Sequence, residues 1–392
     1  MNHENRFPYF FSAAFGPFCC LLTGTAAFAD DSSDLPFMVG DQEVNTTTES
    51  LNLAYATPEE ISRVISALPS LPNLHSLILG FASAEEPLVS WDQIRMIQEA
   101  RPDLDIDYSF SINGFTFRLS DEILNLSHLT FTDEGTLAVK IASCMPNLRI
   151  IDMDSCGVSD EAMAGIRDRF PDVEVIWRVY FGNAYSARTD VIKILMSNPD
   201  RDYALMDDNA LRSLKYCTKV KYLDIGHLSA VTDCSWAANM PELETLIIAM
   251  TAIKDISALA NCPKLNYLEF QTSCACDLRP LSGLTELKDL NICYDFALRD
   301  IRPLYGLDLD RLWIGCLTPI PSEQIAEYQS LHPNCKINTT TIDPTEEEWR
   351  ICNDGLAAER YRKLSEEFDY HSFPQCYAYN ENDPCFWQRT QY

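Results

Sequence analysis

Apolar positions along this chain fall into one recurring phrase. MPNLRIIDM (145–153) and FPDVEVIWR (170–178) both carry it behind an apolar-Pro-polar lead: an apolar residue, two variable residues, another apolar residue, and one more after a variable gap. The first apolar residue of the phrase recurs at Leu51, Leu74, Leu104, Leu126, Leu148, Val173, Val220, Leu243, Leu265, Leu287 and Leu309. The spacings are 23, 30, 22, 22, 25, 47, 23, 22, 22 and 22. The gap of 47 is two periods long, and the gap of 30 is one period with an insertion around Ala82 to Pro87. The first, fourth and sixth positions point into a core that one unit cannot close alone. Stacking the units closes it, and each phrase becomes a short parallel strand.

A period in the low twenties carrying L-x-x-L-x-L is the leucine-rich-repeat signature. The return segments predict two sections. Thr57-Pro58-Glu59-Glu60 places an N-cap, a first-turn proline and a capping-box glutamate before an apolar pattern. Ser90-Trp91-Asp92-Gln93 repeats that logic, and Ser159 or Asp160 opens a helix carrying Met163 and Ile166. Later returns such as IKDISALANCPKL and LRPLSGLTEL are too short for full helices and suit 3₁₀ turns. The fold expected is an α/β leucine-rich-repeat solenoid with a curved parallel sheet. Helices should back its N-terminal part, and 3₁₀ or extended returns its C-terminal part. Expected boundaries are helix-backed repeats over 51–180, a connecting helical segment or degenerate repeats over 181–218, 22-residue repeats over 219–338 and a C-terminal cap over 339–392.

The N-terminus adds a targeting expectation. An apolar run from Tyr9 to Ala27 ends in Ala27-Phe28-Ala29, followed by Asp30 and Asp31. That is the layout of a cleaved signal peptide over 1–29, leaving 30–50 as a linker, with an uncleaved membrane anchor as the alternative that the length just permits. The expected site of action is therefore secreted or at the cell surface, with no membrane insertion of the mature chain. With 30 Lys+Arg against 58 Asp+Glu, the net charge is −28, which argues against nucleic acid as a partner. Of fifteen cysteines, Cys144, Cys217, Cys262 and Cys335 all fall just before a strand phrase. One repeat position implies one packing role, that of a small buried hydrophobe. Cys156 occupies the N/C position of the repeat, a structural place that meets turn backbone. Cys352, Cys376 and Cys385 could staple the C-terminal cap, with no pairing legible.

Several stretches together carry a resemblance: WRVYFGNAYSARTDVIKIL, LKYCTKVKYLDIGH, LANCPKLNYLEF, LRPLSGLTELKDLNI, IRPLYGLDLDRLWIG and PNCKINTTTIDPTEEEWR. From Leu126 to Tyr392 the chain resembles secreted leucine-rich-repeat proteins of clostridial-type Gram-positive bacteria. The resemblance implies export and a repeat-built body, and it transfers no catalytic residues. A more distant likeness to internalins, which bind host-cell proteins, rests on the 22-residue period and names no ligand.

No H-E-x-x-H, G-x-S-x-G, P-loop or G-x-G-x-x-G occurs, so no catalytic or cofactor site is expected. Cys274-x-Cys276 lacks the second pair a zinc site needs. Strand alternation instead points the third, fifth and seventh phrase residues out of the core, onto the concave face. These include Tyr222, Asp224, Ile247, Tyr267, Glu269, Asp289, Asn291, Arg311 and Trp313, with Trp177 further back. Aromatic residues and arginine are typical binding anchors. The expected function is non-covalent binding of a protein partner by a monomer, with no cofactor. The alternatives are a carbohydrate-binding or enzymatic site on the cap or the 181–218 segment, and a structural spacer in a surface assembly.

Overall fold

A computed structural model describes residues 35–182, 185–197, 206–345, 348–352 and 358–368. The chain runs β1 (Phe37–Val39), β2 (Gln42–Val44), β3 (Ser50–Asn52), α1 (Pro58–Ala67), β4 (Ser76–Ser83), α2 (Trp91–Ala100), β5 (Asp105–Ile112), β6 (Phe115–Arg118), β7 (Ile123–Asn125), α3 (Thr136–Ala142), β8 (Ile150–Asp152), α4 (Asp160–Arg169) and β9 (Glu174–Ile176). It continues β10 (Arg178–Phe181), β11 (Tyr185–Arg188), β12 (Lys193–Leu195), α5 (Asp208–Leu211), β13 (Tyr222–Asp224), β14 (Thr245–Ile247), β15 (Tyr267–Glu269), β16 (Asp289–Asn291), β17 (Arg311–Trp313), α6 (Ser322–Leu331), β18 (Lys336–Asn338) and α7 (Glu359–Phe368).

The phrase residues form the rungs of a leucine-rich-repeat solenoid. Strands β12 to β18 make one seven-stranded sheet in sequence order, every pair parallel. The register stacks Leu223, Leu246, Leu268, Leu290 and Leu312 into one fully buried column. The returns divide as the sequence predicts. Thr57 and Ser90 cap α1 and α2 with complete capping boxes, and Ser159 caps α4. The C-terminal rungs return through 3₁₀ turns at 235–239, 257–261, 279–281 and 302–304.

The ladder is divided into three sheets by antiparallel hairpins. FMVGDQEVNTTTESLNL, beginning at Phe37, and FSINGFTFRLSDEILNL, beginning at Phe110, occupy the same places without a gap. In each, a hairpin turns a corner and enters a parallel rung. The third copy is β10–β11 followed by β12. The same corner bond recurs: Thr48 N–H to the Asn45 carbonyl at 3.0 Å, Asp121 to Arg118 at 3.1 Å and Val191 to Arg188 at 3.4 Å.

Three segments differ from expectation. The supposed linker over 30–50 forms hairpin β1–β2 from residue 37, because Phe37, Val39 and Val44 are buried against the first rung. VIKIL is strand rather than helix at Lys193–Leu195, where the β-branched Ile194 pairs in register with Leu223 of β13. The 181–218 segment thus contributes one parallel rung, β12, beside the helical turns of 208–216. Finally, the described part of 339–368 does not simply close the end of the solenoid; it crosses the concave face. The expected signal peptide, Cys376 and Cys385 lie outside the described residues.

Candidate functional site

The concave face of the seven-stranded sheet carries two in-register rows. One runs Tyr222, Thr245, Tyr267, Asp289, Arg311, Lys336; the other Asp224, Ile247, Glu269, Asn291, Trp313, Asn338. The rows bring together what the sequence places there, but they are not open. Asp224, Ile247, Tyr267, Glu269, Asp289, Asn291 and Trp313 are buried, while Tyr222 and Arg311 are half-buried. The expected exposure is corrected by the chain itself, because its C-terminal tail lies on this face. Trp177 is also buried and stands apart, at the junction of the second and third sheets, with its indole N–H donating to Asp160 at 3.0 Å.

The tail docks through two pieces. In the first, the indole N–H of Trp349 donates to Glu269 Oε1 at 2.7 Å, and Arg350 Nε donates to the same oxygen at 3.1 Å. Arg350 also forms an ion pair with Oε2, and the Tyr267 hydroxyl donates to the same carboxylate. The Trp349 ring lies 5.4 Å from that of Tyr267 and 5.3 Å from that of Trp313, with the Arg311 guanidinium 4.3 Å above it. Arg311 Nη1 donates to the Glu348 and Trp349 carbonyls at 3.1 Å each, and Asn291 donates to the Pro344 carbonyl at 2.8 Å.

The second piece is α7. Tyr361, Leu364 and Phe368 recur at helical spacing and are buried on one face. Arg360 reaches from the helix to Asp289 at 3.1 Å and to Asn266 at 2.9 Å, with its guanidinium 5.0 Å over the Tyr267 ring. Phe368 meets Tyr222 at 6.1 Å. Asp289 is thereby held between Arg360 and Arg311, the latter at 2.5 Å.

Electrostatics follow from this enclosure. Burial works to raise the Glu269 carboxyl, but the charge and hydrogen bonds of Arg350, with those of Tyr267 and Trp349, outweigh it and hold the group below the usual carboxylate range. Burial, then the Glu269 charge, pushes the Tyr267 phenol well above its usual value.

Sequence reasoning found the sheet side of this arrangement and missed the tail side. The available signals were an isolated Trp349-Arg350 pair in a polar stretch and the Tyr361, Leu364, Phe368 spacing.

A second recess of about 590 Å³ sits where α4, β10 and α5 meet, lined in part by Ser155, Asp160, Trp177, Arg178, Tyr180 and Ser213. Its central carboxylate is engaged on both sides: Asp160 accepts from Trp177 at 3.0 Å and from Ser213 at 2.7 Å. Nearby, Asp154 receives a two-pronged bond from Arg178, 2.8 Å on each arm, and Arg188 bridges Asp152 and Asp190. Burial would raise the Asp154 carboxyl, but Arg178 and Ser155 hold it low.

The repeat-position cysteines sit in the core. Cys144, Cys217, Cys262 and Cys335 are buried, and burial raises all four thiols, those of Cys144, Cys262 and Cys335 to about 12. Cys156 donates to the Leu126 carbonyl at 2.9 Å, and burial raises its thiol to about 11. All eleven cysteines among the described residues are unpaired. Among the described residues no group of three or more His, Cys, Asp or Glu gathers as a metal site, and no helix is long and apolar enough to cross a membrane.

No protein-family model matches the sequence, and no curated protein does. Among solved structures the chain is similar to an internalin from Listeria monocytogenes at 22% identity, over 71% of this chain and 66% of that one, with a TM-score of 0.33. The chain thus spans just under two thirds of that protein's length. It is similar to an internalin C2 from the same organism at 17% identity, over 65% of this chain and 85% of that one, TM-score 0.31. A leucine-rich-repeat protein from Leptospira interrogans is similar at 13% identity, over 74% and 81%, TM-score 0.30.

Proposed function

We propose that this chain is an exported, monomeric protein-interaction module that holds a polypeptide segment of a partner on the concave face of its C-terminal sheet, without a cofactor. Tyr222, Asp224, Ile247, Tyr267, Glu269, Asp289, Asn291, Arg311 and Trp313 make the binding rows. One observation supports the reading above others: a polypeptide segment, the chain's own Trp349-Arg350, already fills the niche made by Tyr267, Glu269 and Trp313. A buried carboxylate flanked by aromatic rings is a specific receptor for an arginine beside an aromatic residue.

The test is site-specific photo-cross-linking in the full chain against surface and secreted proteins. Cross-linkers go at Tyr222 and Arg360 on the concave side and at the exposed Arg279 on a return turn. A partner captured from the concave positions alone supports the reading. Capture from Arg279 alone overturns it, and capture from a cross-linker at the half-exposed Tyr180 would move the site to the junction recess.

A further inference from the structure

The tail is an imperfect match for the face it covers. Among the described residues, five buried polar atoms find no hydrogen-bond partner in this one interface or at its edge: Thr245 Oγ1, Gln271 Oε1, Arg311 Nη2, Trp313 Nε1 and Glu367 Oε2. Each buried group left unmatched costs about 1–3 kcal/mol. The mismatch is concentrated where the tail meets the sheet. The column of rung leucines beneath is closed, with every member fully buried. The anchors that do match are few and chemically distinct: an indole N–H and a guanidinium on Glu269, and a second guanidinium on Asp289.

We infer that the tail pieces 348–352 and 358–368 are a built-in competitor for the concave face, and that the partner this face fits is a polypeptide carrying an aromatic–arginine pair followed by a second cation. This rests on the polypeptide-binding reading above and names the chemistry of its ligand. The aromatic side chain enters between Tyr267 and Trp313, as Trp349 does. The arginine meets Glu269, and the second cation meets Asp289, displacing Arg350 and Arg360. A partner gains over the tail by supplying acceptors to Trp313 Nε1 and Arg311 Nη2, two donors without a partner among the described residues. The tail keeps the pair Tyr267 and Trp313 out of water until such a segment arrives. Because the tail must leave first, the apparent affinity of any partner is lowered by the fraction of time the face is free.

The test uses the full chain and a fluorescein-labelled synthetic peptide of residues 341–368 as the probe, read by polarisation. Wild type should bind it weakly. The Trp349→Ala/Arg350→Ala variant, with its own tail loosened and its sheet intact, should bind it at least about tenfold more tightly. Adding Glu269→Gln to that variant should abolish the gain, and a probe carrying the same two alanines should not bind. If the loosened variant does not unfold cooperatively, Arg360→Glu is read by the same criterion. Equal probe binding by wild type and the loosened variant overturns the inference, as does a gain that survives Glu269→Gln. Probe binding without concave cross-linking would leave the chemistry of the face standing and sink its cellular use. The reverse would keep the face as a protein site and sink the aromatic–arginine rule.

Discussion

Arg350 and Glu269 are 81 residues apart in sequence and meet as a buried ion pair on the concave face of the solenoid. The pair fastens a tail to a sheet that would otherwise expose Tyr267 and Trp313. Its energetics are asymmetric. Removing one partner strands the other charge in a dry site, at about 3–5 kcal/mol, whereas replacing both is far milder. Arg350→Met should therefore undock the tail: amides of α7 should lose protection against hydrogen exchange while those of the sheet keep theirs. The double variant Arg350→Met/Glu269→Gln should recover most of the lost protection. Equal loss in the single and double variants would show that the tail is held by its apolar face alone.

The same niche makes docking depend on pH from both sides. Glu269 is held below its ordinary value of 4.5, so its contribution is present above that value and is lost as pH falls through the folded-state value. Tyr267 is raised well above its ordinary value of 10.0, so its contribution is present below that value and is lost as pH rises through the folded-state value. Tail docking, followed by the indole resonance of Trp349, should be broadest between these limits. Glu269→Gln should flatten the acid limb and leave the alkaline one. An acid limb unchanged by Glu269→Gln would assign the transition to other carboxylates.

Much of this architecture is legible in the chain. The 22-residue period sets the rungs from Val220 to Leu309, and Thr57 with Glu60 marks a helix start that the structure reproduces bond for bond. What is not legible shares one cause: it depends on contacts between distant segments. Alternation puts Trp313 and Ile247 on the concave side, but nothing local says that residues 348–352 and 358–368 return to the face that holds them. The hairpins are hidden for a related reason. Their strands alternate like any others, and only pairing reveals that β6 and β11 run against the ladder. Within 181–218, where the sequence leaves a helical segment and degenerate repeats both open, the apolar run at Lys193–Leu195 suits either state, and the adjacent edge of β13 decides for strand.

Asp295 sits at the ladder position that Ser273 and Thr251 occupy in earlier rungs, and it is fully buried. Its Oδ1 accepts from the Ser273 amide at 2.8 Å and hydroxyl at 3.0 Å, while Oδ2 has no partner among the described residues. Burial raises its carboxyl to about 8, partly opposed by the Ser273 bonds. The folded value lies above the ordinary 3.8, so the folded state loses stability as pH climbs from there to about 8. Asp295→Asn keeps the accepting oxygen and removes the charge. Its melting temperature should match wild type near pH 3 and exceed it above pH 8, by an amount corresponding to about 1–3 kcal/mol. A variant that is less stable at alkaline pH would mean that the ionised carboxylate is itself bonded.

One backbone position repeats through the solenoid with an unusual conformation. Three residues past the strand end, His128, Ser155, His227, Met250, Thr272 and Tyr294 all have φ between 58° and 67°. The reason is geometric. The left-handed turn aims the amide at the next rung: His227 donates to the Ala249 carbonyl at 2.8 Å, Met250 to Gln271 at 3.0 Å and Thr272 to Cys293 at 2.8 Å. None of the six is glycine, although a side chain costs about 1–2 kcal/mol there. Thr272 is the β-branched member, for which this region is least favourable, and its side chain is exposed with little packing to lose. Thr272→Gly should therefore stabilise the fold by about 1 kcal/mol, less whatever glycine gains in unfolded-state freedom. Urea denaturation decides it: a higher midpoint at unchanged slope is expected. A lower midpoint would mean that the threonine side chain supports the rung in a way that outweighs its strain.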